Sequence, residues 1–266
     1  MWFQLEREIP SLTSDVLFDF GFISISSSTL LIGVILVLLL VLAYRVRRFS
    51  IVPSKFQIVV ESLFDGMYSL LDTITNDRKV TEKIFPIVGS ILTFIAISNL
   101  IGLIPGIEQL TWEGKELLRT PTSDFSTTFS LALGTVLVVN FISLRKKGVL
   151  EYLNQFFNFK GLIQGFKKGI GPGLVSVVEF FVGVMDIVGE LVKVVSLSLR
   201  LFGNMYAGQI LTIILLGIFS LALPSLWLAM NIFVGILQAV VFASLVTAYY
   251  MLAVGDEEEL EKEMVS

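Results

Sequence analysis

The sequence predicts an all-α membrane protein of about five transmembrane helices plus interfacial amphipathic helices, with the last two spans long, steeply tilted and paired as a hairpin. Three observations predict it. Hydrophobic residues make up 55% of the 266 positions and charged residues only 16%, against roughly 25% charged in soluble chains, and the mean hydropathy is +0.84. Stretches free of Asp, Glu, Lys and Arg recur at about the twenty residues that a helix needs to cross a hydrocarbon core of ~30 Å. The apolar positions follow helical spacing and not the ten-residue alternation of a membrane β-barrel.

A single integral membrane domain is expected over 1–266, beginning with an outer N-terminal segment, 1–28. Phe20 to Tyr44 is uncharged and turns strongly apolar at Thr29. That is too far from the N-terminus, with too few basic residues before it, for a cleaved signal peptide, so 29–44 is the first span. The second and third, 84–104 and 125–144, are each about one membrane thick. Leu201 to Gly255 carries no charge over 55 residues. This is too long for one crossing and suits two helices, 174–222 and 226–254, turned near Leu223-Pro224-Ser225. An acidic tail, 255–266, completes the chain.

Basic residues orient the spans. Arg45 to Lys83 holds seven Lys/Arg and Arg145 to Lys168 six, whereas Pro105 to Asp124 holds two and the N-terminal tail one. The first two stretches are therefore expected in the cytoplasm, with the N-terminus outside, the tail inside, and the protein in the inner (plasma) membrane of a cell. The odd count of five holds provided that 169–200 does not cross by itself. Two cytoplasmic-side segments read as amphipathic connectors against lipid. In one, Glu61, Asp65 and Asp72 oppose Val59, Val60, Leu63, Met67 and Leu71. In the other, residues 151–169, a Phe-rich side carries Lys160, Lys167 and Lys168.

Composition also excludes. The chain has neither Cys nor His, which removes structural zinc, haem ligation, thiolate or imidazole catalysis and disulfides. A net charge of −4 offers no basic surface for nucleic acid. No Walker glycine loop is present, so no nucleotide site, cofactor, metal or catalytic site is expected in this chain.

The informative tract is GPGLVSVVEFFVGVMDIVGELVKVVSLSLRLFGNMYAGQ. There an apolar helical pattern is interrupted by Glu179, Asp186, Glu190, Lys193, Arg200 and Asn204. At about 100° per residue these positions stay within a band roughly 80° wide and form one polar seam. Each charge costs on the order of 2.5–3.5 kcal/mol at a span centre, so a seam of them faces a partner or a water-filled cavity. By periodicity a second reading stands beside it, in which Arg200 snorkels to the headgroups and the upstream charges lie on an interfacial helix. A continuous helix from about 174 to 222 would run about 70 Å and must tilt steeply. Arg at mid-depth on such a helix makes sense only beside a partner that supplies negative charge. On the last helix Asn231, Gly235, Gln238, Leu245 and Tyr249 share a face that can meet the seam or serve as interhelical glue.

The string SLSLRLFGNMYAG at 196–208, with NLIGLIP at 99–105, PTSD at 121–124 and LQAVVFASLVTAYY at 237–250, resembles the a subunit of F-type rotary ATP synthases, in order and over nearly the whole chain from about residue 30. The resemblance implies a stator channel, most simply for protons, beside a ring of c subunits, with the b subunits of the peripheral stalk and the remaining synthase subunits as further partners. Arg200 corresponds to the family's essential arginine. As a fixed cation it would discharge a passing ring carboxylate and block a direct leak between two offset half-channels. The resemblance places Asn204 and Gln238 by the outer half-channel and Asp186 and Lys193 by the inner one. Where many members carry a carboxylate and a His or Glu, this chain has Gln209 and Asn231, which cannot titrate. Outer relay must then use water held by amides and hydroxyls, or recruit Asp124 or Glu179. Of these two, Glu179 lies about 31 Å along an ideal helix from Arg200, which favours an inner-side place. A sodium-coupled version of the same subunit and a secondary transporter are the alternatives, the latter disfavoured by the lack of an internal repeat.

Overall fold

The computed structural model describes residues 11–19, 24–47, 53–104, 107, 110–112, 115–149, 152, 170–218 and 222–265. The order among them is β1 (Val16–Asp19), β2 (Ser24–Ser26), α1 (Ser27–Val46), α2 (Lys55–Thr75), α3 (Arg78–Gly102), β3 (Thr111–Trp112), β4 (Lys115–Glu116), a 3-10 turn at Pro121–Ser123, α4 (Phe125–Lys147), α5 (Ile170–Ile218) and α6 (Ala222–Val265). Four of these, α1, α3, α4 and the Ser225–Ala253 part of α6, are long and apolar enough to cross a membrane. The fifth expected span, α5, runs unbroken for 49 residues, roughly 73 Å at about 1.5 Å per residue.

Local chemistry sets the helix ends. Ser26 and Ser54 cap α1 and α2 by accepting from Thr29 N and Gln57 N, each satisfying an amide that the first turn leaves unpaired. Asn76, in the left-handed region at φ 51°, ends α2, and Asp77 caps α3 through Lys79 N at 2.8 Å. The turn is locked by hydroxyls: Thr81 Oγ1 donates to Asp72 Oδ1 at 3.0 Å and lies 2.5 Å from Thr75 Oγ1. Proline positions differ from expectation. Pro224 stands inside the first turn of α6, where the missing N–H has no helical partner to lose. The α5–α6 connection thus falls at 219–221, outside the described residues, together with nearly all of the expected amphipathic segment 151–169.

Two short antiparallel hairpins, β1–β2 and β3–β4, add to the helices. The expected α-only pattern missed them because strands of two to four residues leave no periodic signal. The chain divides into two compact units, one of residues 1–128 and 199–247, the other of 129–198 and 248–266. In the first, α2 lies against α3 with Tyr68 and Phe85 ring centroids 5.4 Å apart. Of the expected apolar side of α2, Val60 and Leu71 are buried, whereas Val59 and Leu63 are exposed. Gly102 ends α3 against Thr120, whose side chain a methyl group at this position would overlap. Asn99, fully buried, donates to Gly235 O at 2.8 Å, and a Cβ added at Gly235 would lie 3.2 Å from Asn99 Cβ, a close approach that glycine eases. In the second unit Ser143 of α4 donates to Ala253 O of α6 at 2.9 Å.

Candidate functional site

The predicted seam lies on one helix, α5, and the two units show what surrounds its parts. In the first unit Asn204 Nδ2 donates to Gln238 Oε1 at 2.6 Å. Gln238 is 4% exposed, and its Nε2 has no partner among the described residues. One turn along, Asn231 sits against Gly208, where an added Cβ would lie 3.2 Å from its Oδ1. Trp227 Nε1 donates to Gly208 O at 3.3 Å. Small and amide residues therefore let α5 and α6 pack antiparallel at close range, the device that replaces hydrophobic attraction between helices in lipid. Gln209 is half-buried on the same turn. The expected α6 face is divided in fact: Asn231 and Gln238 meet α5, whereas Gly235 meets Asn99 of α3.

Arg200 is exposed on α5 and makes no hydrogen bond or ion pair among the described residues. The residue before it, Leu199, is the last of an exposed series, Val178, Met185, Val192 and Leu199. Their seven-residue spacing lays them in one stripe that drifts only about 20° per step.

In the second unit Glu190 and Lys193 form an i, i+3 ion pair at 2.5 Å. The other oxygen of Glu190 accepts from Asn140 Nδ2 of α4 at 3.1 Å, and Lys193 Nζ stands 5.2 Å from the Tyr249 ring centroid, within cation–π range. Tyr152 lies near enough that burial first, and the Glu190 carboxylate second, push its phenol above the usual value. Asp186 and Glu179 are exposed on α5. Sequence reasoning missed Asn140, although an Asn inside an otherwise apolar span was a legible signal.

Asp124 stands apart from these groups in its bonding. It is 2% exposed and accepts from Ser14 Oγ, Ser28 Oγ, Thr127 Oγ1 and Ser126 N.

A family model for the ATP synthase A chain matches residues 26–251, a span that contains all of the residues above except Ser14. ATP synthase subunit a 2 of Bradyrhizobium sp. is 28% identical over 245 residues, covering 92% of this chain and 96% of that protein. ATP synthase subunit a of Moorella thermoacetica is 30% identical over 88% of this chain and 93% of its own length. The Helicobacter hepaticus subunit a is 31% identical, over 87% and 89%. Together with the apolar spans, these matches show that the chain belongs to the subunit a family of F-type ATP synthases, a subunit of the membrane sector.

Proposed function

We propose that this chain is the stator that carries ions, protons in the simplest case, to and from a rotating ring of c subunits through two offset half-channels separated by Arg200. The observation that carries the reading is the exposed guanidinium of Arg200 on α5, which has no hydrogen bond or ion pair among the described residues. The guanidinium, always protonated, is the counter-charge that makes a ring carboxylate ionise when it leaves lipid. Because the cation is fixed, it also raises the cost of any ion passing directly between the two channels.

The outer path runs by Asn204, Gln209, Asn231 and Gln238, where the Nε2 of Gln238, without a partner among the described residues, is a donor that a water chain would satisfy. The inner path runs by Asp186, Glu190 and Lys193, with Asn140 orienting the Glu190 carboxylate, and Glu179 at its mouth. In the plasma membrane of a bacterial cell, five crossings put the N-terminus outside and the acidic tail in the cytoplasm, where the basic loops lie. The b subunits of the peripheral stalk hold the chain against rotation. Arg200→Ala is expected to assemble with the other synthase subunits yet abolish ATP-driven ion uptake by inverted vesicles. Lys at 200 is a poor substitute because it can lose its proton in an apolar site. Normal coupled uptake by the Ala variant would overturn the reading.

A further inference from the structure

Asp124 is buried where three distant stretches of chain converge. Ser14 Oγ at 2.9 Å, Ser28 Oγ at 2.7 Å and Thr127 Oγ1 at 3.0 Å all donate to Oδ2, and Ser126 N donates to Oδ1 at 3.1 Å. Two of these donors lie 110 and 96 positions away in sequence. Backbone bonds reinforce the convergence: Phe125 N reaches Leu12 O at 3.3 Å, and Ser27 N reaches Asp15 O at 3.1 Å. Arg119, 3% exposed, donates through Nη1 to Ser11 Oγ and Thr13 O, both at 3.0 Å, and through Nη2 to Ser11 O. The segment from Ser11 to Asp15 has no regular structure of its own. Its order comes from these side chains.

We infer that Asp124 is a positioning residue that straps the segment Ser11–Asp15 and the start of α1 to the start of α4, and that ions do not pass through its carboxyl group. A carboxylate offers about two acceptor positions on each oxygen; three donors converge on Oδ2 and a fourth takes one position of Oδ1. Three of the donors are hydroxyls fixed on α1, α4 and the N-terminal segment, so the carboxylate joins all three stretches of chain. As the residue preceding α4 it also faces the helix N-terminus, where negative charge is favoured. Only the flux arm of the test below depends on the proposed ion pathway.

The intact synthase, made cysteine-free elsewhere, carries a nitroxide on Leu12→Cys, a position 59% exposed and so open to the label. Its spectral mobility is read beside ATP-driven ion uptake in proteoliposomes. Asp124→Asn is expected to keep the label immobile and uptake within about twofold, since an amide oxygen accepts and the hydroxyls can turn to accept from Nδ2. Asp124→Leu is expected to mobilise the label and to cut uptake more than about fivefold. The double change Ser14→Ala with Thr127→Ala keeps the carboxyl group and removes two straps. It is expected to mimic Leu, and it carries the test if the Leu variant does not assemble. Loss of uptake in Asp124→Asn with the label still immobile would make Asp124 a relay and overturn the inference, as would an immobile label in the double variant. Normal uptake in Arg200→Ala would remove the ion pathway while leaving the label result to judge the strap.

Discussion

Gln209 and Tyr152 give two tests at the scale of single residues. If the outer path depends on water held by amides, Gln209→Leu should slow conduction several-fold by removing polar contacts, at roughly 1 kcal/mol per lost hydrogen bond. Gln209→Glu should conduct and acquire a new pH dependence in the range where a carboxylic acid titrates. Proton flux measured against pH in both variants checks this, and a silent Leu variant would point the path elsewhere. Tyr152 has the opposite character. Its phenol is raised by burial and by Glu190, so the fold favours the neutral form. Its contribution to stability is then complete below the ordinary value of about 10 and falls as pH rises through the higher folded value. Tyr152→Phe should leave the flux profile between about pH 6 and 9 unchanged, and only the parent chain should lose thermal stability above about pH 10 for this reason.

Three close approaches join a glycine to a larger partner: Gly102 of α3 to Thr120, Gly208 of α5 to Asn231 of α6, and Gly235 of α6 to Asn99 of α3. The first is the tightest. Gly102→Ala should destabilise the purified complex by about 1–3 kcal/mol because the new methyl group overlaps the Thr120 side chain. Thr120→Ala beside it should recover most of the loss, giving a clear coupling in a double-mutant cycle read by thermal release of the chain. Gly208 is different. Its neighbour is the end of an amide side chain at 3.2 Å, which can shift by a few tenths of an ångström, so Ala is better tolerated there.

Across the whole molecule, the proposed five crossings would put the two ends of the chain on opposite sides of the membrane. Single cysteines placed between Gln4 and Asp15 and between Glu257 and Glu263, in a chain that has none of its own, should react with an impermeant thiol reagent from opposite sides. Labelling of both from one side would mean an even count and would reverse the proposed direction of the two half-channels.

The spans and the seam on α5 were legible in the sequence because both depend on short-range periodicity. An apolar run of about twenty residues must be a helix in lipid, where backbone groups can bond only within the segment, and charges at helical spacing remain on one face whatever surrounds them. The string around Arg200 identified the family for the same reason, as a contiguous local pattern. Partners were not legible. That Asn204 pairs with Gln238 while Gly235 turns to Asn99, that Asn140 steadies Glu190, and that Asp124 gathers Ser14 and Ser28 from about a hundred positions away depend on how helices cross. Those crossings arise from packing of side chains far apart in sequence, and every polar residue inside a span offers several chemically equivalent partners until tertiary structure selects one.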